Sequence, residues 1–192
     1  MAAGRKSDLA AVGLGSVGVP ADARTVEVDD RCKIADGVYA VGDITGKGAF
    51  THVSMYQAAI VVADILGQDH PAADYRATPH VTFTEPEVGS VGMTEEQARK
   101  AFTNVLTGEV QMPSVSRGYM HKLGNEGFIK LVADGDRGVL VGGTAMGPAG
   151  GEILGAITLA VHAEVPITSL SSAIYAYPTF HRGIADALAD LS

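Results

Sequence analysis

Three observations predict an α+β fold built on an antiparallel sheet. Strand-like runs gather between residues 80 and 145, and helical apolar stripes gather after them. Ahead of both lies a strand, a glycine-containing loop and a long apolar helix. The polar, proline-bearing stretch Gln68-Asp-His-Pro-Ala-Ala-Asp-Tyr-Arg76 separates the two rhythms, and the expected division is 1–70 and 71–192. The sheet domain is expected to carry its helices on one side.

The elements follow in order. Residues 1–24 are rich in Gly, Ala and Val without a clear period, and read as loop with short extended pieces. Thr25-Val-Glu-Val-Asp-Asp30 alternates and predicts a short strand. Gly37-Val-Tyr-Ala-Val-Gly-Asp43 is a compact apolar run, so 38–41 is expected to be a buried strand with an acid at its end. After Gly46-Lys-Gly48, residues 51–66 are apolar around most of a helical wheel, which predicts a buried helix closed by Gly67. A helix start there offers N–H groups and a partial positive charge to an anion or a polarised carbonyl.

Strands are then predicted over 80–84, 104–112, 127–133 and 138–145. Glu85-Pro-Glu-Val-Gly89 is turn chemistry, and Thr94-Glu-Glu-Gln97 is a capping box that opens a short helix. Asp134-Gly-Asp-Arg-Gly138 signals a hairpin. Helices are expected over 152–163, as a turn over 167–172 with Thr168 or Ser169 as cap, and along the stripe Phe180, Ile184, Ala187, Leu188, Leu191.

Composition removes several function classes. With 14 Lys+Arg against 22 Asp+Glu the net charge is −8, which argues against broad nucleic-acid or anionic-membrane binding. No apolar run reaches the ~20 residues of a spanning helix, and nothing at the start resembles a secretory signal, so a cytoplasmic location is expected. Cys32 is the sole cysteine, which leaves no internal disulfide, CxxC pair or Cys-rich zinc site. The six histidines show no metal-binding spacing, so no metal is expected. The run from Gly142 to Glu152 lacks the Walker ending, and a tight strand-to-helix turn accounts for its glycines better than a phosphate loop.

Asp43 either accepts hydrogen bonds from sugar-like hydroxyls or caps its own turn. Tyr175-Ala-Tyr-Pro-Thr-Phe-His-Arg182 either lines a pocket or packs at the start of a helix.

Several motifs, in order and spacing, match one family. Val38-Tyr-Ala-Val-Gly-Asp-Ile-Thr-Gly-Lys-Gly-Ala-Phe-Thr-His52 resembles the second flavin-binding segment of the FAD-dependent pyridine nucleotide-disulfide oxidoreductases, whose members include dihydrolipoamide dehydrogenase and mercuric reductase. Thr84-Glu-Pro-Glu-Val-Gly-Ser-Val-Gly-Met-Thr-Glu95 resembles the opening of their dimerisation domain, and Ala176-Tyr-Pro-Thr-Phe-His181 their His-Pro-Thr segment. Gly4-Arg-Lys-Ser-Asp-Leu9 is similar to the stretch where the chain leaves the nicotinamide domain.

The resemblance implies that residues 1–70 are the tail of a FAD-binding domain and 71–192 a dimerisation domain, with a homodimer formed through 80–192. It implies FAD as cofactor and NAD(P)H as substrate. Gly42 and Asp43 would be cofactor-binding, Asp43 by a hydrogen bond to a ribityl hydroxyl of FAD, and Phe50, Thr51 and His52 would place backbone N–H groups near the flavin pyrimidine carbonyl. The family's N-terminal Rossmann segment, which carries GxGxxG for the ADP half of FAD, is missing from these 192 residues, as are a redox cysteine pair and a nicotinamide domain. The expectation is therefore a C-terminal piece of a longer oxidoreductase, unable to retain FAD or react alone.

The resemblance also exposes a departure. Disulfide-reducing members carry a His, and a few residues on a Glu that orients it. Here Tyr177 and Arg182 stand at those positions, with His181 four residues after Tyr177. A phenol of ordinary pKa ~10 does not shuttle protons near neutrality as imidazole does. Tyr177 and His181 are the candidate catalytic residues, and flavin hydride transfer to a non-disulfide acceptor such as a quinone is the leading expectation. An inactive dimerisation module and a true dithiol-disulfide reductase are the alternatives. The segment's family role implies a cis Tyr177–Pro178 bond, with the ring turned toward the partner's flavin.

Overall fold

A computed structural model describes residues 7–192, which form two compact units dividing between Tyr75 and Arg76. Residues 4–6 of the nicotinamide-domain motif lie outside the described residues.

In the first unit, β1 (Lys33–Ala35) and β2 (Val38–Tyr39) form a small antiparallel hairpin around Gly37, whose φ is 70°. A 3-10 turn, Gly42–Thr45, leads toward the long helix α1 (Thr51–Ile65). Leu9, Val26 and Ala40 form a small core. Residues 25–30 are not a strand. Their alternation does bury Val26, but its N–H meets only the Ile44 carbonyl, at 2.7 Å, and no ladder forms. Nor is 38–41 a buried strand: the apolar run pairs locally with its own preceding residues, so it is half-covered and Val41 is exposed. Among the described residues before 25, the regular element is a 3-10 turn, Leu14–Val17, rather than extended pieces.

The helix α1 is buried along one stripe, Val53, Gln57, Ile60 and Ala63, while Met55, Val62, Ile65 and Leu66 are exposed. The expected burial all round is thus corrected. A wheel of apolar residues reports the capacity to bury, whereas only one face meets packed atoms. Gly67, at φ 64°, closes the helix. Its N–H reaches the Asp64 carbonyl at 3.1 Å, and that of Gln68 the Ala63 carbonyl at 2.9 Å, the two bonds of a Schellman motif.

The second unit is α+β. Its strands β3 (Pro79–Thr82), β4 (Glu87–Gly92), β5 (Val105–Gln111), β6 (Phe128–Asp134) and β7 (Val139–Gly147) form an antiparallel sheet in the order β3-β4-β7-β6-β5. Between β4 and β5 comes α2 (Glu95–Ala101), opened by the expected capping box. The Thr94 hydroxyl accepts from Gln97 N–H, and the Gln97 side chain accepts from Thr94 N–H. The remaining helices are α3 (Ser116–His121), α4 (Gly150–His162), α5 (Ile167–Ser171) and α6 (Gly183–Ala189).

Along β6, alternation sends Ile129, Leu131 and Ala133 into the main core with Ile153, Ile157, Ile184 and Leu188 of α4 and α6. Val132 joins Ala98 of α2, Val105 and Val141 in a second cluster. A register shift between Val132 and Ala133, which skips Val141, lets Leu140 share the main core with Ala145, five residues on, against the strand period of two. The sheet therefore has helices on both faces, not one, because Ala98 brings α2 onto the side away from α4. Glu87, Val88 and Gly89, expected in a turn, instead open β4, because Gly147, Met146 and Ala145 of β7 offer them a ladder. Two further differences are local. The sequence pattern had no signal for α3, a six-residue turn of helix. Pro166, not Thr168 or Ser169, precedes α5, and no side chain caps it.

Gly142 and Gly143 lie within β7 rather than in a loop. A Cβ on Gly142 would stand 1.9 Å from the Met93 carbonyl oxygen, so close backbone approach demands glycine there. The turn into α4 begins only after Gly147.

Candidate functional site

The flavin-segment residues meet in the first unit. Gly42, at φ 81°, opens the 3-10 turn, and Asp43 follows it at the surface. Asp43 lines a cavity of about 790 Å³ with Ser7, Asp8, Asp22, Arg24, Thr25 and Ala49. Phe50 precedes α1 and gives it no side-chain cap. The rings of Phe50 and His52 stack with centroids 5.2 Å apart, and Thr51 is exposed beside them. Gly42, Asp43 and the α1 start are thus brought close in one unit, with the acid on the cavity wall.

The polar group beneath that turn is Gln57. Its Oε1 accepts the Gly42 N–H at 2.6 Å, while its Nε2 donates to the Thr45 and Tyr75 hydroxyls, each at 3.0 Å. The Thr45 hydroxyl in turn donates to the Gly42 carbonyl at 2.8 Å. Beyond Tyr75 lies the buried thiol of Cys32, 3.8 Å from the phenol oxygen, and burial pushes that thiol up from its ordinary pKa. Burial likewise pushes the Tyr75 phenol up. Sequence reasoning missed Gln57, although it is the one polar member of an otherwise apolar stripe on α1.

In the second unit the Tyr177–Pro178 peptide is cis, as expected. Tyr177 is 70% exposed, so its ring does not belong to its own core. The Arg182 guanidinium carbon lies 5.9 Å from the Tyr177 ring centroid. Its Nη1 donates to Asp186 at 3.0 and 3.3 Å. His181 turns elsewhere. It tilts against Tyr175 at 6.3 Å and lines a cavity of about 560 Å³ with Arg117, Glu152, Thr179 and Phe180. Both readings of the aromatic segment hold in part, since Phe180 packs on the main core while His181 and Thr179 face the cavity.

Among the described residues, no three His, Cys, Asp or Glu side chains gather as a metal ion would require. No helix there is long and apolar enough to cross a membrane.

Residues 78–188, more than half of the chain, match the family model described as pyridine nucleotide-disulphide oxidoreductase, dimerisation domain. The chain belongs to this family. The match spans the whole sheet and all of its helices but the last residue of α6. Among curated relatives, a dihydrolipoyl dehydrogenase of Mycobacterium leprae is 35% identical over 91% of the chain and 38% of its own length. One from Thermus scotoductus is 34% identical over 97% of the chain and 40% of its own length. The chain therefore spans about two fifths of these relatives. Solved structures agree. LpdA of Mycobacterium tuberculosis superposes with TM-score 0.82 at 26% identity, covering 92% of the chain and 39% of LpdA. The HOCl-induced flavoprotein disulfide reductase RclA of Escherichia coli does so with TM-score 0.83 at 25% identity, covering 98% of the chain and 44% of RclA.

Proposed function

We propose that this chain supplies the flavin-contacting segment and the dimer-forming domain of a homodimeric FAD-dependent NAD(P)H oxidoreductase. The first unit is read as the end of the FAD-binding domain and the second as the dimerisation domain. The residues fit the cofactor. Asp43 puts a carboxylate on the wall of a cavity large enough for part of a flavin, and a carboxylate accepts from ribityl hydroxyls. The α1 start directs the positive end of a 15-residue helix dipole where a flavin carbonyl would gain negative charge. Gly42 shapes the turn, and Phe50, Thr51 and His52 form the helix start. FAD, when bound, takes a hydride from NAD(P)H and passes two electrons on. In the second unit, exposed Leu159 and Ile174 leave apolar surface that a two-fold interface through 80–192 would cover.

The observation that carries the choice of acceptor is the Tyr177–Arg182 pair. Disulfide reduction needs a thiol's proton held by a base, and a Tyr ring over a guanidinium is not that base. Tyr177 instead donates its O–H to the carbonyl of a quinone-type acceptor, with His181, four residues on in sequence, as the second candidate catalytic residue. A second reading, dithiol-disulfide reduction, is favoured by the names of the relatives, dihydrolipoyl dehydrogenase and disulfide reductase.

Turnover in the natural full-length protein separates the two. A benzoquinone is expected to outrun lipoamide, and Tyr177→Phe to slow quinone turnover more than Tyr177→His restores disulfide turnover. Efficient lipoamide reduction with Tyr177 in place would establish the second reading. Unchanged quinone turnover in Tyr177→Phe would remove the hydroxyl from the mechanism.

A further inference from the structure

We infer that Gln57 is the positioning residue of the cofactor site, locking the Asp43 turn and the start of α1 into one rigid unit; this rests on the reading of Asp43 as a flavin contact. Gln57 is fully buried on the stripe where Val53, Ile60 and Ala63 are apolar. An unpartnered amide there would be costly, on the order of 1–3 kcal/mol from mutational data, so its retention needs an explanation in its contacts.

Those contacts are directional. Only an acceptor can face the Gly42 N–H, so Oε1 must point at it and the amide cannot be reversed. Both N–H groups of Nε2 are then committed, one to Thr45 and one to Tyr75. Thr45 passes its own hydrogen to the Gly42 carbonyl. The turn is thus gripped at both ends, Gly42 and Thr45, from below, and Asp43 lies between the grips with its carboxylate on the cavity wall. The grip comes from the second turn of the same helix whose first turn follows Phe50. Asp43 and the helix start consequently hold one mutual position, which is what a preorganised site requires, since a small misplacement of either forfeits the ligand's simultaneous contact with both.

A filler role would make Gln57 support the whole unit evenly, whereas a positioning role makes its loss local. Amide hydrogen exchange in the full chain distinguishes them. Gln57→Met keeps the volume and removes all three bonds. The Gly42 amide is expected to exchange about five- to tenfold faster, the scale of one lost hydrogen bond, while Ile60 and Ala63 amides in α1 change little. Gln57→Glu keeps an oxygen for the Gly42 N–H and is expected to restore its protection. Equal acceleration at Gly42, Ile60 and Ala63, or none at Gly42, overturns the inference and leaves the site reading intact. Should Gln57→Met fail to fold, Thr45→Val removes one partner of Nε2 and the Thr45–Gly42 bond, and the same comparison decides.

A second measurement links the grip to the cofactor in the natural full-length protein. FAD affinity is expected to fall in Gln57→Met, and to fall no further in the double variant with Asp43→Asn than in Asp43→Asn alone. Additive losses overturn the inference. An Asp43→Asn variant of unchanged FAD affinity overturns the site reading itself and the cofactor half of the inference with it.

Discussion

A methyl group placed on Gly143 would stand 2.7 Å from Cγ2 of Ile157, with the Lys130 carbonyl oxygen at 3.2 Å and Leu131 Cδ2 at 3.4 Å. Gly143 lies in β7, between β4 and β6, and Ile157 is fully buried on α4, so neither side can yield into solvent. Gly143→Ala alone should therefore destabilise the second unit by about 1–3 kcal/mol through overpacking. Ile157→Ala alone should cost about 2–5 kcal/mol through lost burial and a cavity. Together they relieve one another. The new methyl enters the space left by Cγ2, ending the clash and returning roughly 0.8 kcal/mol of burial per added methyl. The double variant should be no less stable than Ile157→Ala, so the coupling should be at least the overpacking cost of about 1–3 kcal/mol, as seen for residues in contact. Amide exchange at Leu131 and Ala145, in the central strands, reads this opening free energy. Additivity within about 0.5 kcal/mol would refute the argument, because it would mean that β7 and α4 do not meet at this point.

Two further predictions concern titration. Glu164 receives hydrogen bonds from Arg137 and Arg76, and the Arg137 guanidinium is the main cause that holds its carboxyl below the usual range. A carboxyl depressed in the folded state adds stability above its unfolded pKa of about 4.3, and that stability disappears as pH falls through the lower folded value. The urea midpoint of the chain should thus exceed that of Glu164→Gln near neutrality, with the gap closing below about pH 4; a constant gap would refute the charge argument. Cys32 behaves in the opposite sense. Its raised pKa favours the folded thiol below the unfolded value of about 8.5 and loses that advantage as pH rises through the folded one. Iodoacetamide at pH 8 should modify the native chain at least about tenfold more slowly than the urea-unfolded chain, and equal rates would contradict its burial.

Within the sheet domain, local chemistry was legible because it acts over a few residues. Thr94 and Gln97 carry a reciprocal cap within four residues, and the Gly138 N–H closes its hairpin on the Asp134 carbonyl at 2.9 Å. The Gly67 helix stop is of the same kind. For the proposed site, Gly42, Asp43 and the α1 start are visible in the sequence as a strand-loop-helix signature whose motif resembles the family's flavin-binding segment. The cis Tyr177–Pro178 bond was likewise expected from the segment's resemblance.

Other features depended on atoms far apart in sequence. Residues 25–30 alternate as a strand does, yet a strand exists only when a partner offers a ladder, and here Ile44 offers a single carbonyl. The α1 wheel is apolar nearly all round, and only packing selected the stripe through Val53, Gln57, Ile60 and Ala63. Ala98 looked like any helical alanine until the sheet brought Val105, Val132 and Val141 against it and put α2 on the second face. Gln57 is the sharpest case. Glutamine as a residue type is mostly found exposed, and what holds Gln57 in the interior arrives only with the turn at Gly42 and the phenol of Tyr75. The sequence by itself determined the Thr94 cap, the Gly67 helix stop, the 134–138 hairpin and the family, since these rest on short-range chemistry and on motifs. Tertiary structure alone decided which apolar face is buried and which polar group is held, since burial and hydrogen-bond satisfaction are properties of what other segments bring to a residue.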